Sequence, residues 1–131
     1  NLREILKAPN LKVVGWCNRK EAIKYLYQND VFILPSLWEG LPITLLEAMY
    51  LKKVCLVSNV MGNKDVIENG KNGFICRKED EYYHMIEKIK NGEIDLTQIK
   101  NEARQSIITN YNMEKMSEAY LKIYEKGDDC Y

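Results

Sequence analysis

The sequence predicts an α/β fold, a Rossmann-like parallel sheet with flanking helices followed by helices alone, and two observations carry that reading. Four short runs, LKVVGW (11–16), VFILPS (31–36), VCLVS (54–58) and GFIC (73–76), are rich in Val, Ile, Leu, Phe and Cys and mostly do not alternate with polar residues. Such runs suit strands buried on both faces of a parallel sheet. Segments of helical period lie between them, and alternating strands and helices point to right-handed crossovers.

Taken in order, LKVVGW is the first expected strand, and RKEAIKYLYQN (19–29) then sets Ile23, Leu26 and Tyr27 on one helical face. VFIL is a strand ended by Pro35 and Ser36. ITLLEAMYL (43–51) is apolar nearly all round and predicts a buried helix, with Pro42 suited to its first turn because the missing N–H would be unpaired there anyway. VCLVS and GFIC complete the strands. Asn69-Gly70, Asn72-Gly73 and Asn91-Gly92 mark turns, where glycine can take a positive φ. Beyond GFIC come EDEYYHMIEKIKN (79–91), LTQIKNEARQSIITN (96–110) and NMEKMSEAYLKIYEK (112–126), three helices expected to wrap the sheet's edge. In the doubly wound order 3-2-1-4-5-6 the four runs count as strands 3, 4, 5 and 6, so residues 11–16 and 31–36 should not be neighbours and VFIL should keep an uncovered edge.

At 131 residues the chain has room for one domain, whose core buries roughly two thirds of the unfolded surface. Nineteen Lys plus Arg balance nineteen Asp plus Glu, so no net charge recommends nucleic acid or an anionic membrane as partner. Cys17, Cys55, Cys76 and Cys130 form no C-x-x-C pair and sit among apolar neighbours, which argues against a zinc site or a disulfide framework and for reduced cytosolic thiols. No stretch reaches the roughly 20 apolar residues of a membrane span. NLREILKAPN has neither an initiator Met nor a signal-peptide core, and reads as a cut rather than a processed start. The expected location is the cytoplasm.

The chemistry is expected in PSLWEGLPITLLEAM (35–49). Glu39 falls in the loop after VFIL and Glu47 on the next helix. The backbone N–H groups of Gly40, Leu41, Ile43 and Thr44 then lie near a helix N-terminus at the carboxyl end of a parallel strand, where open α/β sheets bind ligands and anions such as a diphosphate are favoured. Gly40 lets a ligand approach the backbone closely. A carboxylate there repels phosphate but accepts hydrogen bonds from hydroxyls, and a sugar nucleotide offers diphosphate and hydroxyls together. Taken alone, two glutamates in a charge-rich chain are more often solvated or helix-dipole residues; the setting of this pair is what changes that.

PSLWEGLPITLLEAM resembles the E-x7-E signature of the group 1, family-4 retaining glycosyltransferases, whose GT-B architecture sets two Rossmann-like domains face to face. LKVVGWCNRKEAIKYLYQNDVFILPS is similar to the family's segment before the motif. VCLVSNVMGNKDVIENGKNGFIC is similar to the segment after it, with Ser58, Asn59 and Gly62 on a ligand-facing loop and Asp65 at a usual acidic position. YNMEKMSEAYLKIYEK resembles the family's last helices. The resemblance implies that Glu39 is the catalytic residue, contacting the donor sugar, and that Glu47 holds the ribose hydroxyls. It also implies that the Gly40, Leu41, Pro42, Ile43 and Thr44 segment faces the diphosphate and sugar, and that Trp16, Asn18 and Arg19 lie on the nucleobase side. Trp38 could stack on a sugar ring. His84, the only histidine, reads as a surface residue.

Two departures from the family are visible. Lys52 and Val54 stand where a small residue or Gly, then Pro, is usual, and Pro42 stands where many members have Gly, so one N–H donor for the diphosphate is lost. NLREILKAP matches the helix leading into the third strand of a donor domain. Residues 1–126 are therefore expected to be a partial donor-binding domain and 127–131 a flexible tail, with the N-terminal acceptor domain and a diphosphate-neutralising basic pair missing. The implied activity is hexosyl transfer from a UDP-, GDP- or ADP-linked sugar to an acceptor hydroxyl with anomeric retention, in polysaccharide biosynthesis. It needs no metal and no cofactor beyond the nucleotide-sugar substrate, is negligible in this chain alone, and leaves room for peripheral membrane association of a full-length enzyme. The alternatives are a non-catalytic nucleotide-binding or interaction domain and a GT-B sugar-nucleotide epimerase or hydrolase; E-x7-E with EGLP favours the transferase.

Overall fold

The computed structural model describes residues 8–38, 40 and 42–111. Eight elements follow one another: α1 (Arg19–Gln28), β1 (Val31–Leu34), α2 (Ile43–Tyr50), β2 (Val54–Ser58), α3 (Met61–Lys64), β3 (Phe74–Cys76), α4 (Glu79–Lys90) and α5 (Leu96–Asn110). The three strands form a parallel sheet in the order β1-β2-β3, with Val31 opposite Val54 and Leu56 opposite Phe74. The expected α/β fold is present, and the helices over 79–90 and 96–110 follow the periodicity closely. The helix expected over 112–126 lies outside the described residues.

Central β2 explains why its sequence run does not alternate. Cys55 and Val57 enter one layer with Leu45, Leu46, Ala48 and Met49 of α2 and Ala103 and Ile107 of α5, whereas Val54 and Leu56 enter the other with Phe74, Cys76 and Ile99. Both faces of the strand are therefore covered, and Val54 through Val57 are wholly buried. α4 supplies Tyr82, Met85, Ile86 and Ile89 to the second layer. Lys100 of α5 reaches Asp30, the residue before β1, at 4.0 Å, so α5 passes near the N-terminal end of that strand. The site discussed below is at the opposite end.

Residues 11–16 are not a strand, which corrects the sequence expectation. Val13 is 61% and Trp16 90% exposed, and within the described residues β1 pairs with β2 alone. An apolar run becomes a strand only where a neighbour takes its N–H and C=O groups, and no described strand does so here. Among the described residues this run does not pair with β1, and no strand pairs with the second edge of β1, as expected. Tyr27 also departs from its expected face. Ile23 is buried, but Tyr27 is exposed and lies under the Lys53 ammonium, which donates to the Tyr27 carbonyl at 2.7 Å.

Pro42 sits one residue earlier than expected, at the cap of α2 with φ −81° and ψ 81°, and its carbonyl accepts the helix's first bond from Leu46 N–H at 3.2 Å. At the other end, Lys53 N–H donates to Ala48 and Lys52 N–H to Met49, the paired bonds of a Schellman cap. Lys52 carries the left-handed φ of 60° that this cap requires. Gly70 and Gly92 take positive φ as expected. Gly73 is needed for a different reason: a Cβ there would lie 2.7 Å from Ile67 Cδ1 and 3.2 Å from the Cys55 carbonyl. No described helix is long and apolar enough to cross a membrane.

Candidate functional site

The C-terminal end of β1, the loop after it and the first turn of α2 form one rim of the sheet. Glu39 and Leu41, expected to contact the donor, lie outside the described residues. Gly40 is exposed, with nothing within 4 Å of where a Cβ would stand, so its backbone is open to close approach. Ile43 and Thr44 are exposed on the first turn, and no side chain caps α2. The first-turn N–H groups of a helix have no intrahelical partner, and they carry the positive end of its dipole.

Glu47 lies one turn deeper, four residues after Ile43, where an α-helix returns to the same face. Its side chain is only 6% exposed and forms an ion pair with the Arg19 guanidinium, Nη2 donating to Oε1. A carboxylate this buried must be paired to remain charged at acceptable cost. Arg19 is the first residue of α1, whose start is set by Asn18. The Asn18 side chain accepts from Glu21 N–H at 2.9 Å while Glu21 Oε2 accepts from Asn18 N–H at 3.0 Å, a reciprocal capping box. The fold of α1 therefore delivers the guanidinium to α2.

A cavity of about 430 Å³ opens beside this pair, with Val14, Cys17, Arg19, Phe32, Thr44 and Glu47 among its walls. It brings together residues expected on the ribose side (Glu47), the diphosphate side (Thr44) and the nucleobase side (Arg19). It does not include the side chains of Trp16, which is almost wholly exposed, or of Asn18, whose oxygen is committed to the cap. Arrangements of this kind can accept hydroxyl groups at a carboxylate while amides at a helix start face an anion.

The segment after β2 is nearer the loop than its sequence suggests. Ser58 Oγ donates to the Ser36 carbonyl at 2.6 Å, and Asn63 Nδ2 donates to Ser58 O at 3.1 Å and to Ser58 Oγ at 3.2 Å. Asn59 and Asp65 are exposed, but Gly62 and Asn63 are buried. Asn63 was not singled out in the sequence, because an Asn between Gly and Lys gives no sign of burial. The same holds for buried Asn72, which donates to Ser106 Oγ at 3.0 Å and ties the turn before β3 to α5.

Burial pushes the Cys55 thiol well up from its ordinary value. Burial, then the nearby Glu81 charge, does the same for Cys76. Neither offers a thiolate near neutral pH. His84 is exposed on α4 with its ring edge against Tyr83. Among the described residues no group of three or more His, Cys, Asp or Glu is placed to hold a metal ion.

Residues 2–106 match the family model described as glycosyl transferases group 1. The chain is 31% identical over 116 residues to the UDP-Gal:alpha-D-GlcNAc-diphosphoundecaprenol alpha-1,3-galactosyltransferase of Escherichia coli, covering 87% of this chain and 29% of that protein. It is 27% identical over 124 residues to the amylovoran biosynthesis glycosyltransferase AmsK of Erwinia amylovora, covering 88% of this chain and 30% of the relative. Among solved structures, Anabaena HepE in complex with UDP and glucose superposes with a TM-score of 0.72 at 17% identity, over 95% of this chain and 34% of that one. The chain thus spans about a third of the length of the proteins it matches. It belongs to the group 1 glycosyltransferases, and its parallel sheet with flanking helices is the fold of their GT-B members.

Proposed function

We propose that this chain is the donor-nucleotide-binding part of a retaining, hexosyl-transferring enzyme of polysaccharide biosynthesis that works in the cytoplasm. The observation that carries the reading is the Glu47 carboxylate, buried and held by Arg19 at the wall of a cavity that opens beside the first turn of α2. Glu47 accepts hydrogen bonds from the ribose hydroxyls of a nucleoside-diphosphate sugar. The amides of Gly40, Leu41, Ile43 and Thr44 face the diphosphate, Pro42 supplies no N–H, and Glu39 orients the sugar as the catalytic carboxylate. Trp16, Asn18 and Arg19 stand on the nucleobase side, with Arg19 acting mainly through Glu47.

The transfer needs no covalent enzyme nucleophile and no metal or separate cofactor in this reading. The departing diphosphate takes the acceptor proton on the face it leaves, and amides at the helix start stabilise its growing charge. An acceptor domain of the GT-B kind supplies the other wall of the cleft. The UDP-galactose named for the E. coli relative and the UDP bound by HepE make a uridine donor the first to try.

Calorimetric titration of the chain with UDP-, GDP- and ADP-linked sugars tests the proposal. Saturable binding of at least one of them, competed by the matching free diphosphate, is the expected result. Absence of binding for all three would overturn it, and interconversion of sugar epimers without an acceptor would replace it with an epimerase.

A further inference from the structure

We infer that Ser58 and Asn63 are positioning residues that brace the loop carrying Glu39 and Gly40 against the buried core. This rests on the reading of that loop as the donor-sugar contact, and nothing in the family match assigns either residue such a role.

The donor inventory fixes the direction of every bond in the brace. The Asn63 amide has two protons and gives one to Ser58 O and one to Ser58 Oγ. The Ser58 hydroxyl proton is then left for the Ser36 carbonyl, at the short 2.6 Å typical of a well-formed O–H···O bond. Ser36 lies two residues beyond the end of β1 and three before Glu39. At the other end, Asn63 is wholly buried. Its own carbonyl accepts from Val66 N–H at 3.1 Å and Ile67 N–H at 2.9 Å. Val66 and Ile67 pack in the same layer as Cys55 and Val57. A continuous path therefore runs from the core through Asn63 and Ser58 to the loop.

Packing at Leu37 and Trp38 does not hold that loop. Leu37 is 98% and Trp38 82% exposed, so the side chains next to Glu39 contribute little fixed contact. The hydrogen bond from Ser58 at the end of β2 is a restraint on where the chain leaves the sheet. Preorganisation of this kind matters where backbone amides must meet developing charge without rearranging.

The test compares wild type with Ser58→Ala, Ser58→Thr and Asn63→Asp by ¹⁵N relaxation of the ligand-free chain, read at Leu37, Trp38 and Gly40. Wild type and Ser58→Thr, which keeps the hydroxyl, should show order parameters near ~0.85, and Ser58→Ala should fall below ~0.6 with β2 and α2 unchanged. Asn63→Asp removes both amide protons and should loosen the loop as well. If it fails to fold, Ser58→Ala carries the comparison. Equal loop order in wild type and Ser58→Ala, or no recovery in Ser58→Thr, overturns the brace. Because this readout needs no nucleotide, it stands apart from the donor reading. Titration with UDP-, GDP- and ADP-linked sugars then separates the two: wild type that binds none of them refutes the donor reading alone, whereas binding that is unchanged by a loosened loop refutes the positioning role.

Discussion

Mixed with a nucleoside-diphosphate sugar and an acceptor alcohol, the 131-residue chain is expected to bind the donor and to transfer almost no sugar. In the proposed reading the described residues offer one wall of a cleft, formed by the end of β1, the start of α2 and the segment before α1, and the acceptor site belongs to the domain opposite. Holding two reactants in a near-attack arrangement is worth as much as ~7–11 kcal/mol of barrier, so the loss should be about 10⁵-fold or more. Transfer of a labelled sugar to an acceptor, followed over hours, measures it. Turnover of about 1 s⁻¹ or faster, the ordinary range of complete enzymes, would show that the chain positions an acceptor by itself.

The second large effect is expected at Glu47. In the proposed reading, replacing it with alanine removes the carboxylate that accepts from the ribose, and hydrogen bonds to a charged group are worth about 1.5–3 kcal/mol. Nucleotide-sugar affinity should therefore fall roughly 10- to 150-fold. The variant is expected to fold, because the Arg19 side chain it leaves behind is 32% exposed and can recover water. Calorimetry beside a thermal melt separates the two quantities. Unchanged affinity in a folded Glu47→Ala chain would remove Glu47 from the ribose and leave the Arg19 pair as a purely structural tie between α1 and α2.

Much of the fold was legible because burial on both faces writes itself into composition. VCLVS has no polar residue before Ser58, and the structure places alternate members of it in two apolar layers. The amphipathic run over 96–110 was legible for the same reason, since Ile99, Ala103 and Ile107 recur at helical spacing and all are buried. LKVVGW was misread because strand propensity is a local quantity while a strand is a pair. Its side chains suit a sheet, but no described strand offers it an edge. Gly73 was placed correctly in a turn for the wrong reason, because the contact that forbids a side chain comes from Ile67 and the Cys55 carbonyl, both distant from the turn motif.

Less of the candidate site could be read from the sequence. The E-x7-E spacing located Glu47 on the helix, but nothing in the sequence paired it with Arg19, 28 residues away. That contact depends on how α1 lies across α2. Asn18, expected on the base side, has a second role as the cap of α1, a local role for which Asn18 and Glu21 carried a signal, Asn three residues before Glu. Ser58 was expected on a ligand-facing loop, but its bond to Ser36 and the role of Asn63 were hidden, because hydrogen bonds of this kind leave no periodicity. Their partners follow from the sheet register, which sets the end of β2 beside the end of β1.

The most direct measurement is to add UDP-glucose to the ¹⁵N-labelled chain and map which backbone amides respond. Saturable shifts are expected at Gly40, Ile43, Thr44 and Glu47 and across Trp16 to Arg19, with α4 and the N-terminal ends of the strands unmoved. Shifts confined to other elements, or none with UDP-, GDP- and ADP-sugars alike, would contradict the proposed donor site.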